Sequence, residues 1–223
     1  MTDIIAELCQ NHNGDLKILE EMVHAASESG AKFAKIQSML SKDLTHRKRF
    51  DEGLVEGGEV RVRKRPYDAE YERLSKLDLN DEDHYQFLEY CKKYKIKPMT
   101  TVFNRSRLAF IKKLDFQIIK VSSFDCSSHK MIEEISKSNF KEIIVSTGCT
   151  YDHEIKKTSE ILKKNNFTLL HCVSIYPTPI NQANLNRINY LKSLTKSVGF
   201  SDHSETKKDG ILLSVASLLH DVS

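Results

Sequence analysis

Short apolar runs alternate along this chain with stretches whose apolar positions recur every three or four residues. The runs fall at Ile4–Cys9, Phe33–Met39, Pro98–Phe103, Gln117–Ser123, Glu142–Gly148, Phe167–Tyr176 and Ser197–Asp202. They lack polar alternation, which predicts strands of a parallel sheet covered on both faces. Between and after them the helical period predicts helices over Asp15–Gly30, Asp81–Tyr94, Arg105–Leu114, Ser127–Ser138, Tyr151–Asn165, Leu185–Thr195 and Lys207–His220. In the first, Leu16, Leu19, Met22, Val23 and Ala26 share a face and Gly30 offers a C-cap. From the third strand onward the strand–helix unit recurs about every 25–30 residues, the βαβ pattern. The fold expected is α/β, a (β/α)8 TIM barrel.

Two features depart from a regular barrel. Leu40–Leu79 is long and charge-rich, with Gly57 and Gly58 together and basic runs at His46–Arg49 and Arg61–Arg65. It reads as a βα loop on the catalytic face, solvated or facing another subunit, with an anion site as the alternative. The second feature is the end of the chain, where Ser223 follows a helix and an eighth strand is due. Seven strands leave two unpaired edges in a barrel. Residues 1–223 are therefore expected to be a barrel domain incomplete at its C-terminus, or one completed by another polypeptide.

Composition narrows the classes. The 223 residues carry 34 basic and 31 acidic side chains, a net charge of +3. That balance does not point to nucleic acid. The opening MTDIIAELCQ has no basic segment followed by a long apolar run, and no stretch approaches the ~18 apolar residues of a membrane span. Cys9, Cys91, Cys126, Cys149 and Cys172 are scattered, without a C-x-x-C pair, which suits a reducing, cytoplasmic location.

Barrel active sites form at the C-terminal ends of the strands, so the polar residues there are the informative ones. In chain order they include Glu7; Lys35 and Gln37; Thr100, Thr101 and Asn104; Lys120, Ser122, Ser123 and Asp125; Ser146, Thr147 and Gly148; His171, Ser174 and Tyr176; Ser201, Asp202 and His203. Lysine inside a strand is costly to bury unless an anion pairs with it. Lys35 and Lys120, among so many hydroxyls, thus suit a phosphorylated carboxylate, with internal salt bridges as the alternative. His24, His84, His129, His153 and His220 fall in predicted helices or loops and read as surface residues. His12 reads as shaping its turn or touching substrate, and His171 as a group within the barrel.

These segments also resemble the sialic acid synthase family, the N-acetylneuraminate, legionaminate and pseudaminate synthases. IIAELCQNHNG and AKFAKIQ look like that family's opening; IIKVSSFD, IIVSTG, LLHCVSIYPTP and VGFSDHS follow in the family's order. The match spans nearly the whole chain except the long second loop. The resemblance implies condensation of phosphoenolpyruvate with an N-acylated amino sugar, of the N-acetylmannosamine type, to give a nonulosonic acid and phosphate. It implies that Lys35 and Lys120 hold phosphoenolpyruvate, with Ser123, Ser146, Ser174 and Ser201 around its anionic groups. Glu7, Asp125 and Tyr176 would face the sugar, Glu7 orienting the aldehyde or moving a proton. His203 would be a ligand of a divalent metal ion, Mn2+ or Mg2+. A homodimer is implied for the complete protein.

The sequence departs from the family pattern at Asp125, where many members have Glu, and at Ser174, where some have Asn. The family's eighth-strand His, a second metal ligand, and its C-terminal antifreeze-like domain have no counterpart here. Little or no synthase activity is expected of this chain alone. A non-catalytic remnant or anion-binding barrel is the alternative from another class, and an aldolase of sugar phosphates a third.

Overall fold

The computed structural model describes residues 2–223. In chain order the elements begin with β1 (Ile5–Cys9), α1 (Leu16–Glu28), β2 (Phe33–Ser38), α2 (Lys48–Glu52), β3 (Leu54–Glu56), β4 (Glu59–Val62) and α3 (Tyr67–Ser75). They continue with α4 (Asp81–Lys93), β5 (Lys97–Val102), α5 (Arg105–Ile111), β6 (Ile118–Val121), α6 (His129–Ser136), β7 (Glu142–Ser146) and α7 (Asp152–Leu162). The last are β8 (Phe167–His171), α8 (Arg187–Lys192), β9 (Ser197–Phe200), α9 (Thr206–Asp209) and α10 (Leu212–Ser217). One parallel sheet runs in the order β1-β2-β5-β6-β7-β8-β9.

The sheet is curled. Six strand spacings of ~4.8 Å would hold β1 and β9 about 29 Å apart if it were flat. Yet Thr2, just before β1, donates its hydroxyl to the Val222 carbonyl at 3.0 Å. Among the described residues β1 and β9 share no ladder.

Strand periodicity divides the buried residues into two sets. Ala34, Ile36, Val102, Ile119, Val121, Ile143, Val145, Leu169 and Val198 face outward, into the large core shared with the helices. Phe33, Met99, Ile144 and Leu170 face inward and form a separate floor, with Ile5 and Ile118 against it. Burying each such side chain stabilises by about 1.5–3 kcal/mol. The outer layer also explains the helices. Asp15 caps α1, accepting from the Lys17 N–H at 2.7 Å, and Leu19, Val23 and Ala26 are its buried face. Asn80 and Asp83 make a reciprocal capping box for α4.

Several expectations are corrected. His84 is not a surface residue but fully buried. It lies on the same face of α4 as Phe87 and Cys91, and both ring nitrogens find partners, as burial demands. Nδ1 donates to the Asn80 carbonyl (2.7 Å), which leaves Nε2 to accept from Ser38 Oγ (2.8 Å). Ser38 in turn meets Thr100 at 2.6 Å. Thr100 thus faces the helices and not the mouth. His171 likewise points outward, its Nε2 2.7 Å from the Ala183 carbonyl and its ring stacked on Phe200. The long second loop is partly structured: β3 and β4 pair as an antiparallel hairpin around Gly57 and Gly58, and α3 follows. Both glycines have positive φ (58° and 82°), as a tight hairpin turn requires. The predicted helix over 207–220 is broken at Gly210 (φ 60°) into α9, α10 and a short 3-10 turn. No helix is long and apolar enough to cross a membrane among the described residues.

Candidate active site

Continuing each inward face past the floor gives the polar residues of the mouth. Ile5 leads to Glu7, Phe33 to Lys35, Met99 to Thr101, Ile118 to Lys120, Ile144 to Ser146 and Leu170 to Cys172, two residues on in each case. On β9 a Cβ at Gly199 would meet Leu170, so Gly199 faces inward and Ser201 follows it. One period therefore places Glu7, Lys35, Lys120, Ser146 and Ser201 on one concave surface, and the other predicted site residues lie in the loops that follow the strands.

Lys35 is the centre of this ring. It is 2% exposed, forms a salt bridge with Glu7, and donates to Thr101 Oγ1 at 2.8 Å. Burial pulls its ammonium down to about 8; Glu7 opposes the shift and the neighbouring charge of Lys120 adds to it. Ser146 Oγ is buried without a hydrogen-bond partner among the described residues. A buried hydroxyl left unpaired on the strand next to the one that carries Lys120 is an acceptor's missing counterpart.

At the rim, His203 Nδ1 lies 2.7 Å from the Val173 carbonyl. That contact fixes the proton on Nδ1 and turns the Nε2 lone pair toward the mouth. Tyr176 Oη stands 3.1 Å from Nε2 and Ser201 Oγ 3.4 Å, and the Tyr176 ring stacks on the imidazole. Burial, then the nearby Lys120 charge, keeps His203 below its ordinary range, although its Val173 contact works the other way. Tyr176 is 69% exposed, yet partial desolvation, then the charges of Cys172, Cys9 and Glu7, push its phenol up to about 12. Ser123 Oγ is 3.0 Å from Cys172 Sγ and accepts from the Gly148 N–H at 3.2 Å. Ser174 Oγ approaches the same point, 2.5 Å from where a Gly148 Cβ would stand.

The structure thus brings together Glu7, Lys35, Lys120, Ser123, Ser146, Ser174, Tyr176, Ser201 and His203. Asp125 accepts from Ser122 Oγ of its own loop at 2.5 Å. Burial raises its carboxyl above the ordinary range. His12 shapes its turn, Nδ1 accepting from the Gly14 N–H at 3.0 Å. Asp202 ties the loop to α10, accepting from Ser204 N (2.9 Å) and Ser214 Oγ (2.7 Å). Residue chemistry named Thr101 only among the strand-end hydroxyls and gave no role to Cys172. The signal that finds them is parity with Met99 and Leu170.

Comparison with known proteins identifies a family. The NeuB family profile matches residues 22–219. N,N'-diacetyllegionaminic acid synthase of Campylobacter jejuni is 32% identical, over 97% of this chain and 64% of its own length. Pseudaminic acid synthase of Helicobacter pylori is 31% identical, over 90% of this chain and 58% of its own length. The chain thus spans about three fifths of these curated relatives. The crystal structure of N-acetylneuraminic acid synthetase from Leptospira borgpetersenii, in complex with citrate, superposes with a TM-score of 0.82 at 27% identity. It covers 97% of this chain and 69% of that one.

Proposed function

This chain belongs to the NeuB family, and on that premise we propose that it is the phosphoenolpyruvate-binding part of a nonulosonic acid synthase. The relatives are synthases by name, of legionaminic and pseudaminic acids. The observation that carries the reading is a buried lysine, Lys35, with the Lys120 charge adjoining it, on the same inward face of the strand ends as the unpaired buried hydroxyl of Ser146. A phosphorylated carboxylate supplies negative charge that offsets the burial of Lys35 beside Lys120, and the acceptor that Ser146 lacks.

The reaction proposed joins carbon 3 of phosphoenolpyruvate to the aldehyde carbon of an open-chain N-acylated amino sugar. The enol π pair forms the new carbon–carbon bond, and the aldehyde oxygen takes up a proton. Water adds to carbon 2 and loses a proton. The tetrahedral intermediate then breaks its carbon–oxygen bond to phosphate, leaving the keto group. Lys35 and Lys120 stabilise charge on the departing phosphate. Glu7, held by Lys35 yet open to solvent at the rim, is placed to orient the sugar or carry the aldehyde's proton. Ser123, Ser174 and Ser201 complete the anion's surroundings, and Tyr176 covers the rim where the sugar enters. Asp125, turned to Ser122, reaches the sugar only by rotating away from that contact.

His203 is the residue that would hold a manganese or magnesium ion, through Nε2. Such an ion would polarise the sugar's carbonyl. Among the described residues, no three His, Cys, Asp or Glu side chains converge as a metal centre. The chain's own donors do not complete such a site, and no step above runs through it.

Calorimetric titration of the purified chain with phosphoenolpyruvate tests the first half of this reading. Saturable binding that Lys35→Met abolishes is expected; heat that does not saturate sinks it. Phosphate release on adding an N-acylated mannosamine-type sugar tests the second half.

A further inference from the structure

We propose that Gly148 is a specificity-determining position of the mouth, because its missing side chain is the space in which Ser123, Ser174 and Cys172 converge on the bound anion. This rests on the phosphoenolpyruvate reading above. Gly148 is buried just past β7, and its φ lies outside the left-handed region, so conformation does not demand glycine there. Space does. A Cβ at this position would stand 2.5 Å from Ser174 Oγ, 2.9 Å from Cys172 Sγ and 3.1 Å from Ser123 Oγ.

The identity of these obstructing atoms decides what a larger residue does. Each is the tip of a short side chain that can rotate, and none is backbone. Alanine is therefore accommodated by turning the hydroxyls and the thiol away, which dismantles the cradle and spares the fold. At Gly14 the case is opposite: the obstructing atom is the Lys76 backbone oxygen at 2.3 Å.

The hydrogen bonding gives the cradle a polarity. Ser123 Oγ accepts from the Gly148 N–H, so its own proton is free to point onward. In the structure Ser123 Oγ lies 3.0 Å from Cys172 Sγ, a weak partner in either direction. An anionic oxygen is a far stronger one, and the Ser123 proton turns to it without losing the bond from Gly148. A methyl group at residue 148 displaces Ser123 and Ser174 together and so removes two donors at once.

The test is calorimetric titration with phosphoenolpyruvate, with thermal unfolding followed by circular dichroism. Gly148→Ala is expected to weaken binding by about tenfold or more, the effect of losing a hydrogen bond to a charged oxygen. Its unfolding midpoint should stay near that of the parent. Ser174→Ala removes the nearest obstruction, so the double variant should bind more tightly than Gly148→Ala alone. Gly148→Ala binding like the parent, or a double variant weaker than both singles, overturns the proposal. Should Gly148→Ala fail to fold, Ser174→Thr crowds the same gap while keeping its hydroxyl; unchanged binding by that variant also overturns it. A parent chain that binds no phosphoenolpyruvate refutes the reading of the whole mouth, whereas these variant results refute the role of Gly148 alone.

Discussion

Binding of phosphoenolpyruvate should take up a proton at alkaline pH, and the structure says which group receives it. In the protein without ligand Lys35 holds its proton only up to about pH 8, against 10.5 for an unperturbed lysine. The ammonium is therefore disfavoured there by about 3 kcal/mol. Burial is the main cause, and Glu7 offsets only part of it. A phosphate or carboxylate oxygen placed against Nζ pairs the charge and moves the proton affinity back toward the ordinary value. Linkage then fixes the pH profile. Below about pH 8 the lysine is protonated in both free and bound protein, so affinity is level. Above it, affinity falls about tenfold per pH unit until the lysine of the complex itself titrates. Near pH 9 close to one proton should be absorbed per ligand bound. Calorimetry between pH 7.5 and 9.5, in two buffers of different ionisation enthalpy, measures both quantities. Lys35→Met should abolish the proton uptake as well as most of the binding. Affinity independent of pH over this range, with no buffer-dependent heat, would refute the assignment of Lys35 as the anion's partner.

Glu7→Gln removes a charge that raises the Lys35 pKa, so the alkaline fall in affinity should begin at lower pH, visible in the same titrations. Acid should destabilise the fold through buried histidines: His12, His84 and His171 are each held below 6.5, chiefly by burial. The unfolded chain protonates first, so this stability is fully present above pH 6.5 and drains away as pH falls through and below that value. Urea midpoints at pH 7.5 and 5.5 measure it, and equal midpoints would contradict the burial. Gly14→Ala should cost more than about 2 kcal/mol, since its Cβ meets the Lys76 carbonyl oxygen at 2.3 Å in a left-handed backbone; a midpoint like the parent's would show that contact to be soft. Asn80→Ala, which deletes half of the α4 capping box, should cost about 1 kcal/mol.

Strands and most helices were legible because burial on two faces and burial on one face write different periods into the sequence. β7 and β8, almost wholly buried, read as continuous apolar runs, and α1 as a stripe through Leu19, Val23 and Ala26. Strand boundaries were drawn too long, most of all Phe167–Tyr176 for Phe167–His171, because composition does not mark where ladder bonds stop and a binding loop begins. The misreading of His84 as a surface residue has a physical cause. A polar residue on a buried face looks like a surface residue until its partners are known, and those of His84, Ser38 and Thr100, come from strands far away in sequence. Lys35 was legible for the converse reason: a lysine within an apolar strand has few solutions, and a charged partner inside a barrel mouth is one of them.

The inward period also explains why the site is polar at one end only. Each strand changes character within two residues, from Phe33 to Lys35, Met99 to Thr101, Ile144 to Ser146 and Leu170 to Cys172. The floor excludes water from beneath the lysines, and that exclusion lowers the Lys35 proton affinity and strengthens any anion contact above it. Stability and the proposed anion recognition thus draw on the same strands. A polar substitution in the floor, such as Met99→Gln, would let water reach Lys35 from below and weaken anion binding without touching any group that contacts the ligand.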